Sequence, residues 1–196
     1  MGSNGPARTR EATVSQTVGP FFHLGLKGLF SARVAEPGAH GRHIALRGRV
    51  VDGDGQPVPD ALIEVWQADA NGKYPHPADE QDQPVTAGFK GFARVPTNDE
   101  GGFLLATIKP GRVPAPGGGR QAPHLLVALF MRGLLRQLAT RVYFADEACN
   151  EEDLLLQRVP ASRRGTLLAK PIPEDPDTFE WNIVLQGSDE TVFFDY

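Results

Sequence analysis

The sequence predicts a mainly β protein: a two-sheet β-sandwich with an N-terminal arm and short helical turns near 151–169. Three observations predict it. The 196-residue chain holds 22 glycines and 17 prolines beside 40% hydrophobic residues, a composition of many turns between short strands. Several segments alternate apolar and polar residues with a period of two. Clusters of Gly, Pro, Asn and Asp separate these segments. A chain of this length supports one domain with a real core.

Residues 1–12 are polar and small, a composition that frays. The stretch Val14–Leu26 (VSQTVGPFFHLGL) has no helical or strict strand period, and its apolar residues need a surface to lie on, the domain's own or a partner's. Residues 27–42 read as loop, so 1–42 form an arm and 43–196 one domain. Residues 43–52 alternate, with Ile44, Leu46 and Val50 on one side and Arg47 and Arg49 on the other. The turn GDGQPVPD leads to a strand with Ala61, Ile63 and Val65 opposite Glu64 and Trp66. Residues 73–88 are a long polar excursion. The segments GFARVPT, GGFLLATIKPG, PHLLVALFMRG, LLRQLATRVYF, FEWNIVLQG and TVFFDY read as further strands. The stretch 151–169 places acidic residues before basic ones, as a helix dipole prefers, while Pro160 and Gly165 break it into short turns.

Lys and Arg number 20 against 24 Asp and Glu, a net charge of -4, which points to neither nucleic acid nor an anionic membrane. No apolar run reaches the roughly 20 residues of a spanning helix, and the N-terminus lacks the apolar core of a secretory signal. The single cysteine, Cys149, excludes an internal disulfide framework and fits a reducing cytoplasm. It lies in the acidic run DEACNEED, where neighbouring carboxylates disfavour a thiolate nucleophile.

The most informative strand is Pro123–Gly133. One face carries Leu125, Val127, Leu129 and Met131, all apolar; the other carries His124, Leu126, Ala128, Phe130 and Arg132. A histidine at 126 would complete a His-x-His pair with nitrogens about 7 Å apart along one face; leucine cannot ligate. The five histidines (23, 40, 43, 76 and 124) form no i, i+2 or i, i+4 pair. His124 alone suits a hydrogen-bonded strand histidine better than a ligand. Arg132 suits either a solvated strand end or a guanidinium that binds a carboxylate beside a partner's site. Glu64 has no second carboxylate set beside it and reads as an ion-paired sheet residue. PAPGGGRQAP lacks the Lys-Ser/Thr of a phosphate loop, and no serine stands in a G-x-S-x-G turn.

The blocks WQADANGKY (66–74), TIKPG (107–111), RQAPHLLVALFMRG (120–133), RVYFADE (141–147) and ETVFFDY (190–196) occur in one order. Together they resemble the intradiol ring-cleavage dioxygenases, from about Ser15 to Tyr196. VSQTVGPFFHLGL, APHLLVALFMRG and ETVFFDY are closer still to members built from homologous α and β subunits, and to the α type. The resemblance implies a β-sandwich with an N-terminal arm, a catechol substrate and O2. It also implies Fe(III) bound by a homologous β subunit, not by this chain, through two tyrosines and two histidines, with αβ units in a larger oligomer. On this sequence the four ligand positions fall at or near Gln81, on Val113, on His124 and on Leu126, so no metal is expected in this chain. A family arginine falls on Gln121, with Arg120 one residue away. The resemblance further implies that Thr17, Gly19 and Pro20 of a T-x-G-P segment, with Arg132, line the neighbouring β subunit's pocket. Phe21 stands where a tyrosine is common. Two other readings stay open. A self-sufficient dioxygenase would need two ligand tyrosines, and the sequence offers none at those positions. A transthyretin-like binding module fits GRVVDGDGQPVPDALIEVW but has no use for the later blocks.

Overall fold

The computed structural model describes residues 12–195. Residues 1–11, within the stretch expected to fray, and the terminal Tyr196 lie outside them. A short helix α1 (Pro20–Leu26) is followed by eleven strands: β1 (His43–Val51), β2 (Leu62–Trp66), β3 (Phe92–Pro96), β4 (Gly102–Ile108), β5 (Val113–Pro114), β6 (Arg120–Gln121), β7 (His124–Phe130), β8 (Leu138–Phe144), β9 (Leu168–Ile172), β10 (Asp175–Glu180) and β11 (Ile183–Val184). A helix α2 (Leu154–Arg158) and 3₁₀ turns at Ala148–Glu152 and Arg164–Leu167 fall between β8 and β9, about where the sequence places helical turns.

The strands make two leaves. One runs β3-β2-β7-β8, antiparallel throughout. In the other, β1 is flanked by β4 on one side and by β10 and β11 on the other. Strand β9 joins them, pairing with β8 in parallel and with β10 antiparallel. Between the leaves lies one core, to which β1 gives Ile44, Leu46 and Val50, β2 gives Ile63 and Val65, and β7 gives Leu125, Val127 and Leu129. The period-two alternation read from the sequence is the reason: each strand turns its apolar set inward. The ring of Phe144 meets Phe179 edge-on across the leaves. A glycine is required at 48, because a Cβ there would lie 1.7 Å from the carbonyl oxygen of Trp181. At that point the partner of β1 changes from β10 to β11, and Trp181 N–H donates to Arg47 O.

Three segments differ from their sequence reading. Residues 20–26 are helical although no amphipathic period marks them. Proline at the first helical position sets the φ angle, and the helix buries none of its residues, so nothing selects a period. Residues 27–42, read as loop, are stitched to the sandwich by bridges from Ser31 to Arg94, Arg33 to Ala106 and Ala35 to Phe89, and they bury Val34, Ala35 and Ala39. The apolar pair Val34-Ala35 explains it. The TVFFDY segment makes a single bridge, Ala139 to Phe194, in place of a strand. Among the described residues no helix is long and apolar enough to cross a membrane.

Candidate functional site

The loop after β2 is built by buried polar side chains. Gln67 donates to Ile108 O (3.0 Å) and accepts from Thr107 Oγ1 (2.8 Å), which staples WQADANGKY to TIKPG. Asp69, fully buried, accepts from the backbone N–H of Asn71, Lys73 and Thr86 and from Thr86 Oγ1. The two blocks touch through glycines: a Cβ on Gly111 would lie 2.4 Å from Ala70 O, and one on Gly72 2.0 Å from Arg112 O. Further along, Lys73 Nζ reaches Asp79 Oδ1 (3.0 Å) and Gln81 O (2.8 Å). Burial alone would raise the Asp79 carboxyl. Hydrogen bonds from Tyr74 N–H, Gln81 N–H and Lys73 outweigh it and hold the group down at about 2.

Two cavities share Trp66 as a wall. One, of about 610 Å³, is bordered by Tyr74, His76, Gln81, Val113 and Gln121. The other, of about 380 Å³, is bordered by Glu64, Phe92, Leu126 and Arg141. Trp66 stacks on Tyr74 with ring centroids 5.9 Å apart. Glu64 is ion-paired with Arg94, which donates from Nε at 2.7 Å, as its sheet reading required.

His124 lies at the end of this region, 3% exposed, and its Nδ1–H donates to Ala122 O at 2.8 Å. Burial, reinforced by the nearby Arg141 guanidinium, lowers its pKa to about 4, so the ring is neutral at pH 7. Leu126 pairs with Arg141 across β7 and β8. Arg141 Nη1 donates to Gln121 Oε1 at 2.6 Å. The residues at the four positions that the resemblance maps to ligands do not fit a ferric ion. Leu126 and Val113 have no donor atom, and the Gln81 amide donates to Gly72 O and Asp79 Oδ2. A fixed cation, Arg141, stands on the strand opposite Leu126. Burial raises the Tyr74 and Tyr143 phenols, which favours the protonated form over a tyrosinate. Among the described residues no three His, Cys, Asp or Glu are grouped to hold a metal. The Cys149 thiol is raised by burial and by Glu147, against a nucleophilic role.

The other predicted residues meet at the far end of β7. Thr17 Oγ1 accepts from Gly133 N–H at 2.7 Å, which ties the arm to the turn after the strand. Gly19, Pro20 and Arg132 border one cavity of about 390 Å³ together with His23 and Asp60. Arg132 Nε is 3.0 Å from Asp60 Oδ2, and the arginine side chain is 74% exposed. His23 Nδ1 is buried there with no hydrogen-bond partner among the described residues. Phe21 points away from the fold and is 86% exposed.

So the structure groups the predicted residues into two places. Thr17, Gly19, Pro20 and Arg132 form one; at the other, Gln81 and Val113 border one cavity, Leu126 borders the cavity beside it across Trp66, and His124 is buried two residues before Leu126 on β7 and lines neither. Sequence reasoning missed Arg141 and Asp60. The signal for Arg141 was its place in an alternating strand, but its facing Leu126 depends on the register between β7 and β8. Asp60 looked like one more turn residue.

A family model described as "Dioxygenase" matches residues 30–187. The protocatechuate 3,4-dioxygenase alpha chain of Burkholderia cepacia is 44% identical, over 95% of this chain and 98% of its own length. The beta chain of the enzyme from the same organism is 35% identical, over 77% of this chain and 67% of its own. Among solved structures, 3-chlorocatechol 1,2-dioxygenase from Rhodococcus opacus 1CP superimposes with a TM-score of 0.61 at 22% identity, covering 78% of this chain and 63% of that one, a likeness of fold. By its sequence blocks, its sandwich and these relatives, the chain belongs to the intradiol ring-cleavage dioxygenase family.

Proposed function

We propose that this chain is the non-iron-binding α subunit of a protocatechuate 3,4-dioxygenase. That assembly opens the ring of protocatechuate (3,4-dihydroxybenzoate), a catechol bearing a carboxylate, with both atoms of O2, to give 3-carboxy-cis,cis-muconate. Fe(III) then belongs to a homologous β subunit, in αβ units of a larger oligomer in the cytoplasm, and residues 1–42 pack on that partner while 43–196 form the sandwich. The observation that carries the reading is the donor set: the family fold is kept, yet three of the four ligand positions hold Gln81, Val113 and Leu126. The separate similarity to an alpha chain and to a beta chain supports a two-subunit enzyme.

The arm region supplies what this chain adds. Gly19 lets the backbone approach a ligand closely, and nothing lies within 4 Å of where its Cβ would be. Arg132 carries the planar fork that suits a carboxylate. The exposed Val14, Phe21, Leu24 and Leu29 are an apolar surface that a partner covers, with exclusion of water from the pocket as a consequence. The test is reconstitution. This chain alone, a homologous β chain alone and the co-expressed pair are each assayed for protocatechuate-dependent O2 uptake. Activity restricted to, or strongly raised in, the pair is expected. Full activity of the β chain alone, unchanged by this chain, overturns the reading.

A further inference from the structure

The turn after β7 is held from two directions. Thr17 Oγ1 fixes the backbone at Gly133, and Asp60, at the end of the turn between β1 and β2, forms an ion pair with Arg132, its Oδ2 3.0 Å from Nε. Asp60 and Arg132 are 72 residues apart, so the sandwich itself brings them together. This is the one ion pair of the Arg132 side chain among the described residues, and its two terminal nitrogens remain at the exposed end of the side chain. A free arginine samples many rotamers; an ion pair with a residue fixed on the sandwich narrows that set and with it the directions in which the terminal pair is presented. Two parallel N–H groups of a guanidinium match the two oxygens of a carboxylate.

We infer that Asp60 is a positioning residue: it holds the Arg132 guanidinium so that its two terminal nitrogens receive the substrate's carboxylate. This rests on the pocket-wall role of Arg132 proposed above. Asp60 touches no reacting atom, and its effect passes through Arg132. A purely structural turn residue would lower stability or assembly without discriminating between substrates. A positioning residue raises KM for the carboxylated catechol and leaves kcat and catechol itself nearly untouched.

The experiment uses the assembled αβ enzyme with D60A, D60N, D60E, R132A and the double variant D60A/R132A, each checked for assembly and melting temperature. D60A is expected to raise KM for protocatechuate about two- to five-fold, the scale of one exposed charge pair. D60N is expected to fall between it and the parent, and D60E to restore part of the loss. On the R132A background D60A adds nothing. If R132A raises KM and D60A does not, the positioning role is wrong and the pocket-wall reading stands. If D60A and R132A effects simply add, or D60A shifts catechol and protocatechuate alike, the positioning role is also wrong. If R132A itself leaves KM unchanged, the pocket-wall role falls and the inference falls with it.

Discussion

His124 is a buried histidine whose surroundings disfavour its charged form. Its ring is buried, tied to Ala122 O, and faces the Arg141 cation, so the folded protein resists protonating it. The folded pKa is about 4 against an ordinary 6.5. Between those values the unfolded chain binds more protons than the folded one, so folding stability falls as the pH drops through that window. The stability is fully present above 6.5, and its loss is complete below about 4. The size is roughly 3 kcal/mol. Urea midpoints measured from pH 7 to 4 should fall for the parent and flatten for H124N, which has no titrating ring; an equal fall in both would assign the pH dependence elsewhere. Arg132 makes the second prediction at this scale. In the assembled enzyme R132A should raise KM for protocatechuate about tenfold or more, the scale of a lost charge-assisted hydrogen bond, with subunit association by gel filtration unaltered. That the side chains at 113 and 126 cannot ligate was readable from residue identity, since valine and leucine ligate in no fold; that 113 matters came only from the resemblance. Arg141 and Asp60 were not readable, because what each faces depends on pairing across the sandwich.

At the scale of elements, the alternating strands β1, β2 and β7 were legible because one buried face imposes a period of two. Their partners were not: β1 pairs in parallel with β10 more than 120 residues along the chain, and no local pattern records that. The helix α1 was missed for the opposite reason, having no buried face to set a period. Gly48 tests the β1 edge most sharply. G48A would drive a methyl group into the Trp181 carbonyl. It should destabilise by about 3 kcal/mol or more through strain and loss of the Trp181–Arg47 bond. Thermal melting reads this; an unchanged midpoint would mean that β1 and the 181–182 segment between β10 and β11 can separate without cost. The polar loop 66–81 could be placed by its motif, but its order comes from buried side chains: Gln67 and Asp69 reach Ile108 and Thr86 on other segments, and Lys73 ties the loop to its own Asp79 and Gln81.

For the whole molecule, the sandwich follows from composition and patterning, and the site follows from what the pattern omits. The chain holds the framework of a ring-cleaving oxygenase around a donor set that does not suit iron, with an arm and an exposed arginine at one end. Metal content decides whether that division of labour is real. The chain purified alone and the co-expressed αβ pair are each loaded with iron, desalted, and measured for iron per polypeptide and for a tyrosinate-to-iron absorption band. The account predicts no retained iron and no band in the isolated chain, and one iron per αβ pair. Stoichiometric iron with that band in the isolated chain would contradict it.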